Sequence, residues 1–461
     1  MAVEEEKRIH LVGIGGAGMS GIARILKEMG KEITGSDLCR SETVQRLEEI
    51  GITVYQGHSS ANLPEGTDLV VVSSAIPSTN PEMKKAKRLG IPVVKRGDML
   101  ACLMNERQGI AVSGAHGKTT TTSMIALMLE DNGFSPTFVI GGEIKESNLG
   151  AKLGLGEYFV AEADESDASF LKLNPYIAVV TNVEDDHLDY YKSIESIKEA
   201  FVRFISQVKA GGIAVLCHDD PFLAGLKGCF EHLVYYGSRP EADYYYLNFR
   251  IKGWGTCFDA FKRNDFLGTV ELSIPGRHNA LNAMAAIAVG TELGIPFTGI
   301  ANSLKRFKGA KRRFQVLGVV EDIILIDDYA HHPTEVAQTI KSARQFHQAR
   351  LIVVFQPHRY TRTKLLGEHF GAAFQGVDLL IVTGVYPAGE TPIPGVTGEI
   401  IYRSACRSGI ECLYMEDPDD IVDYLLGVVR PGDMVIFMGA GDIWKAGEKM
   451  KTALNGSYPS G

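Results

Sequence analysis

The sequence predicts an α/β protein of three domains: a Rossmann-like N-terminal domain (1–107), a central P-loop ATPase α/β domain carrying a small antiparallel sheet (108–313), and a C-terminal Rossmann-like α/β domain (314–461). Three observations lead there. The chain has 461 residues, about three times the usual domain length, so more than one packed core is expected. Short apolar runs alternate with amphipathic stretches, the pattern of parallel sheets whose crossovers are helices, and that pattern restarts twice. Two glycine-rich loops, at 13–18 and 114–117, each lie between an apolar run and a helix start.

In the first domain the runs at 9–14, 69–72 and 91–94 read as strands and the segments at 21–29 and 81–89 as helices. The second pattern opens at 110–112 with its helix and continues through strands at 158–161 and 176–180 and a helix at 194–208. Tyrosine and phenylalanine then cluster over 235–275, and 269–274 alternates, which predicts antiparallel strands. The third pattern follows Lys311-Arg312-Arg313, with strands at 323–326, 351–355, 379–382 and 434–438 that read as another parallel sheet. Pro/Gly-rich 387–398 reads as a loop, and the tail after Leu454 as frayed.

Composition removes several classes of function. Hydrophobic residues make up 45% and charged residues 22%, enough apolar material to offset chain entropy, so large-scale disorder is excluded. The formal charge is -9 with no basic run to track a phosphate backbone, so nucleic acid is not expected as a partner. Seven scattered cysteines, none in a Cys-x-x-Cys pair, indicate neither a disulfide framework nor a zinc site and fit a reducing compartment. An acidic N-terminus and the lack of a long apolar stretch predict a cytoplasmic protein with no membrane partner.

Gly13-Ile14-Gly15-Gly16-Ala17-Gly18 satisfies G-x-G-x-x-G, with Asp37 after the second strand at the offset of a ribose-binding acid. Its glycines let the backbone approach a diphosphate at a helix N-terminus, and that physics serves NAD(P), another nucleotide diphosphate or a tight structural turn. The second loop decides the class. Ser113-Gly114-Ala115-His116-Gly117-Lys118-Thr119-Thr120 joins a strand to a helix, so that backbone amides cradle phosphate, Lys118 reaches the β/γ-phosphates and the Thr119 hydroxyl ligates Mg2+. Val112 stands where the strict phosphate-loop pattern has glycine, which implies a shortened loop. Mg2+ needs further hard oxygens, and Glu162 is the first choice at a strand end, with Glu165 and Asp164 behind it. His187, within Glu184-Asp185-Asp186-His187, is either a second metal ligand or simply hydrogen-bonded to its carboxylate neighbours.

These motifs, with Asp186-His187-Leu188-Asp189, Arg277-His278-Asn279, Asp327-Asp328-Tyr329-Ala330-His331-His332-Pro333 and Gln356-Pro357-His358-Arg359-Tyr360-Thr361-Arg362, resemble the Mur ligases over essentially the whole chain. The last two motifs resemble the alanine-adding branch. The resemblance implies an ATP-dependent ligase of peptidoglycan synthesis with Mg2+ or Mn2+, taking ATP, UDP-N-acetylmuramate and L-alanine, as a monomer or weak homodimer. It places ATP on Gly114, Ala115, His116, Gly117, Lys118, Thr119 and Thr120, with Asn279 at the adenine, Arg313 at the phosphates and Asp328 from the C-terminal domain. Lys118, Glu162, His187 and Arg313 become the catalytic set, and Thr119, Glu162 and His187 the metal ligands. Gly15, Gly16, Ala17, Gly18, Met19 and Ser20 with Asp37, Ser74 and Arg96 would hold the UDP-sugar; Tyr329, His331, Arg359 and Arg362 would surround the amino acid.

Two departures stand out. Ala115 replaces the family's usual threonine, which removes a hydroxyl and leaves the backbone donors. Val202 and Arg203 lie where several relatives carry a carbamylated lysine, so a second metal is expected to be held without one.

Overall fold

The computed structural model describes residues 6–145, 149–185 and 188–457. By internal packing the chain divides into two compact units, one of Met1–Phe249, Cys257–Leu272 and Asn279–Lys308, the other of Arg250–Thr256, Ser273–His278 and Gly309–Gly461. Among the described residues no helix is long and apolar enough to cross a membrane.

The first unit holds one sheet and, apart from Arg250–Thr256, a second. Strands β1 (Arg8–Val12), β2 (Glu32–Asp37), β3 (Thr53–Gln56), β4 (Leu69–Val72) and β5 (Val93–Lys95) pair in parallel in the order β3-β2-β1-β4-β5. The order reverses between β1 and β4, where open α/β sheets bind ligands at their carboxyl ends. The 13–16 turn follows β1 there, and exposed Ser74 follows β4.

The second sheet contains β6 (Gln108–Ser113), β7 (Thr137–Ile144), β8 (Leu149–Lys152), β9 (Tyr158–Glu162), β10 (Ile177–Val180), β11 (Ile213–Cys217), β12 (Leu233–Gly237), β13 (Tyr244–Lys252), β14 (Gly255–Lys262) and β15 (Asp265–Leu272). Their order is β15-β14-β13-β12-β11-β10-β6-β9-β7-β8. Central β6 runs parallel to both β9 and β10, so the carboxyl ends of these three deliver Gly114, Glu162 and Thr181 to one edge. β13, β14 and β15 follow one another through two-residue connections, which are long enough for antiparallel hairpins and too short for parallel crossovers. The helix Lys118–Asp131 after β6 buries Thr120 through Leu129, including three threonines and a serine, so it is enclosed on every side instead of amphipathic.

In the second unit, β16 (Gln315–Val320), β17 (Ile323–Asp328), β18 (Leu351–Phe355), β19 (Leu379–Val382), β20 (Cys412–Tyr414) and β21 (Met434–Met438) lie in the order β16-β17-β21-β18-β19-β20. Five of them pair in parallel, the four expected strands and β20, which the sequence did not indicate. β16 departs from the expected parallel sheet by pairing antiparallel with β17. Its cause is local: Glu321 and Asp322 connect the two at φ 49° and 60°, the positive values of a hairpin turn whose twist suits flanking strands. Alternate residues face opposite cores, Ile326, Val353, Phe355, Ile436 and Met438 on one side, Leu325, Ile352, Val354, Val435 and Phe437 on the other. Both faces are covered, and that is why these strands read as unbroken apolar runs. Cys406, near a helix end, and Cys412 in β20 lie 6.2 Å apart between Cα atoms, a proximity that their scattered spacing did not indicate.

Candidate active site

The loop after β6 is shaped by two glycines and clamped by the end of β10. Gly114 has φ 133°, and a Cβ there would lie 2.2 Å from Thr181 Oγ1; Gly117 has φ 84°, and its Cβ would lie 2.7 Å from Asn282 Oδ1. Asn182 accepts from the Ala115 amide through its carbonyl at 3.3 Å and from the His116 amide through Oδ1 at 2.9 Å. Thr181 Oγ1 and Asn182 Nδ2 both donate to the His116 carbonyl. Two amides expected to cradle phosphate are therefore engaged by Asn182. The first-turn amides of the helix from Lys118 have no intrahelical acceptor and point from its positive end.

The three N–H groups of Lys118 meet three acceptors: the Gly114 carbonyl at 2.5 Å, the Ala115 carbonyl at 3.2 Å and Glu165 Oε1 at 2.7 Å. Burial opposes its charge, but Glu165, with Asp164 and Glu162 behind it, holds the ammonium above the ordinary lysine range. The side chain thus curls over its own loop and is not lost among packed apolar groups. Glu162 ends β9 and accepts the Gly141 amide at 2.7 Å. A Cβ on Gly141 would lie 2.9 Å from Glu162 Oε2, and one on Gly142 3.2 Å from Thr119 Cγ2. Glu162 and Thr119 therefore border adjacent residues of β7, Gly141 and Gly142 respectively, and a carboxylate and a hydroxyl are the hard donors that Mg2+ takes. Thr120 is buried. His187 lies outside the described residues.

At the 13–18 turn, Ser36 accepts the Gly13 and Ile14 amides through its carbonyl at 2.8 and 3.1 Å. Asp37, the last residue of β2, accepts the Gly15 amide at 2.8 Å, so its carboxylate braces the turn. Gly16 and Ala17 are exposed, Met19 points into the core, and the Ser20 hydroxyl returns to the Ala17 carbonyl at 2.9 Å. A Cβ on Gly18 would meet Arg96 Cδ and Nη1 at 3.2 Å. Arg96 Nη2 donates to Asp164 Oδ2 at 2.8 Å. Asn279 is buried in the helix Arg277–Glu292, where its Oδ1 accepts from Asn282 Nδ2 at 3.4 Å.

In the second unit the carboxyl ends of β17 and β18 gather a cationic and aromatic cluster. Arg312 and Arg313 lie over the Tyr329 ring, 5.0 and 5.2 Å from its centroid, a cation–π arrangement. Arg313 Nη1 donates to Glu335 at 3.2 Å. The Asp328 carboxylate accepts the Phe314 and Ala330 amides at 2.7 and 2.8 Å and the Thr339 hydroxyl at 3.3 Å; burial pushes its carboxyl up despite Arg313 and those amides. His331 lies 5.4 Å from Tyr329 and 5.5 Å from His358, ring to ring, and Glu335 accepts its amide at 3.1 Å. Burial, helped by Arg362, holds the His331 imidazole down at about 4 against the opposing pull of Glu335. Burial, with His331, Arg362 and Arg359 adding to it, holds His358 at about 3. His358 stacks on Tyr386 at 5.7 Å and faces Arg362 Nη1 at 3.5 Å. Arg359 caps the helix Tyr360–Leu366 at φ 70°, a strained value for a side-chain-bearing residue, and such strain gathers at functional sites.

The structure thus groups Lys118, Thr119 and Glu162, brings Arg96 to Gly18, and groups Tyr329, His331 and Arg362. Sequence reasoning left Thr181, Asn182, Glu335, His358 and Tyr386 without roles. Glu335 was the legible one, because it stands four residues after His331 on a helix that begins at Pro333.

Three family models match the chain: Mur ligase family, catalytic domain, over residues 8–108; Mur ligase middle domain over 112–290; and Mur ligase, glutamate ligase domain, over 312–441. The chain is 52% identical over 458 residues to a UDP-N-acetylmuramate–L-alanine ligase of Syntrophomonas wolfei, covering 98% of each. It is 53% identical over 448 residues to the protein of the same name in Pelotomaculum thermopropionicum, covering 96% of this chain and 97% of that one. Among solved structures it is similar to the UDP-N-acetylmuramate-alanine ligase of Thermotoga maritima, with a TM-score of 0.84 at 29% identity, covering 98% of this chain and all of that one. It is also similar to a murein peptide ligase of Psychrobacter arcticus, with a TM-score of 0.73 at 26% identity over 98% of this chain.

Proposed function

The chain belongs to the Mur ligase family, and from that premise we infer that it joins L-alanine to the lactyl carboxylate of UDP-N-acetylmuramate with ATP, in peptidoglycan precursor synthesis. The observation that carries this is identity above half, over nearly the full chain, to ligases named for that reaction. The reaction passes through an acyl phosphate: the γ-phosphoryl group moves from ATP to the carboxylate and ADP is released, then the alanine amine attacks the resulting acyl carbon, losing a proton as phosphate leaves. Two anions must meet in the first step, so the protein's task is neutralisation and positioning.

Lys118 serves the phosphates, which take it over from Glu165, and the first-turn amides of its helix add a fixed positive end. Thr119 and Glu162 would hold Mg2+, with His187 as a further ligand; when bound, the cation supplies charge neutralisation on the phosphates. The 15–20 turn, Ser74 and Arg96 take the UDP-sugar, with Asp37 shaping the turn. Arg313 is a phosphate contact, and Asp328 holds the segment that presents it. The alanine carboxylate goes to Arg359 and Arg362, where a planar fork suits two oxygens. Tyr329 and neutral His331 complete that subsite. The reading places the enzyme in the cytoplasm as a monomer or weak dimer.

Phosphate release with ATP, UDP-N-acetylmuramate and a panel of amino acids tests the inference. Release is expected with alanine. Release with a peptide and none with alanine would replace it with the reaction of a peptide ligase.

A further inference from the structure

We propose that Asp164 is a positioning residue for the UDP-sugar, acting through Arg96, although it stands beside the nucleotide loop and among candidate metal ligands. The inference rests on the reading that the 15–20 turn and Arg96 hold the sugar diphosphate.

Three facts carry it. The Asp164 carboxylate is committed on both oxygens, Oδ2 to Arg96 Nη2 at 2.8 Å and Oδ1 to the Ser166 amide and hydroxyl at 3.0 and 2.6 Å. Its backbone is pinned as well, the carbonyl accepting from the Phe170 amide at 3.1 Å and from Ser169 Oγ at 3.2 Å. Arg96, anchored at Nη2, lies with Nη1 and Cδ against Gly18 in the first turn of the helix Ala17–Glu28.

The number of donors separates this pair from the neighbouring one. An arginine has five N–H donors in a fixed fork, so one can be held by Asp164 while others meet a phosphate; an ammonium has three, and those of Lys118 are all spoken for. Glu165 therefore competes with a phosphate for its cation, whereas Asp164 aims its cation at one. A long side chain otherwise samples many rotamers, and fixing it beforehand removes an ordering cost from binding. Carboxylates adjacent in sequence thus serve different substrates.

The test is a double-mutant cycle on the full enzyme, with KM for each substrate and calorimetric binding of UDP-N-acetylmuramate. Asp164→Asn is expected to raise both KM and Kd for the UDP-sugar about tenfold, the scale of one charge-assisted hydrogen bond partly open to solvent, and to leave KM for ATP within about twofold. Arg96→Ala should weaken UDP-sugar binding more, and adding Asp164→Asn to it should cost nothing further, because Asp164 acts only through Arg96. Additive losses, or equal rises in both KM values, overturn the proposal. Asp164→Glu, which keeps the charge, serves if the asparagine variant fails to fold, and a partial rise confined to the UDP-sugar is expected from it. Unchanged UDP-sugar binding in Arg96→Ala would instead remove the underlying site assignment, an outcome distinct from a failed cycle.

Discussion

Gly117→Ala separates two costs that the phosphate loop has met by using glycine. At φ 84° an alanine enters the left-handed region, costing about 1 kcal/mol. Its Cβ would also lie 2.7 Å from Asn282 Oδ1, closer than such atoms approach. Asn282 is 7% exposed and bonds Asn279 at 3.4 Å, so moving it adds about 1 kcal/mol. Gly133→Ala is the matched control, at φ 82° with nothing within 4 Å of the new atom, and should show the first cost alone. If the loop keeps its shape, the sum of about 2 kcal/mol appears as lost stability in urea unfolding; if the loop yields, it appears as up to about thirtyfold weaker binding of a non-hydrolysable ATP analogue with Mg2+. Calorimetric titration and unfolding measured together capture both routes. Should the two variants behave alike in both assays, the close approach of the loop to Asn282 is wrong.

Lys118→Ala should leave UDP-N-acetylmuramate binding intact and abolish phosphate release, and near-normal turnover would remove Lys118 from the phosphate site. Arg359→Lys should raise KM for alanine about tenfold, the loss of a bidentate contact, while KM for ATP stays unchanged; equal rises count against a carboxylate contact. His278, His331 and His358 are held at about 4, 4 and 3, in each case first by burial. These are bases whose folded values lie below the unfolded value, so the unfolded chain gains protons first as pH falls. Their stabilisation is complete above about 6.5 and is lost on descent toward 4, at up to about 1.4 kcal/mol per pH unit for each. Urea unfolding between pH 6.5 and 5 should show that slope, reduced in His278→Gln, and a flat profile would contradict the burial of these rings.

What was legible in the sequence follows from which interactions are local. Leu351–Phe355, Leu379–Val382 and Met434–Met438 match the expected strands end to end, because both faces are buried and the apolar run stops where the strand does. Apolar runs stop short of the true end in strands that finish on acids. Glu162 and Asp327–Asp328 extend β9 and β17 because their carboxylates find partners in distant segments, Gly141 for one and Phe314 for another, and no local pattern announces such a partner. β16 escaped notice for a related reason: none of its residues is fully buried, so it carries no clean alternation, and only the positive φ values of Glu321 and Asp322 reveal its hairpin. The candidate site divides the same way. Spacing identified the loop that ends in Lys118, since a strand, two glycines and a helix start are contiguous. It could not say that Glu165, 47 residues on, holds that lysine, nor that Asp164 reaches Arg96, 68 residues back. The first pairing exists because the parallel neighbours β6 and β9 deliver their carboxyl ends to one edge, and the second because the segments after β5 and β9 bring strand ends of two different sheets together, so tertiary geometry decides which of several adjacent acids meets which cation.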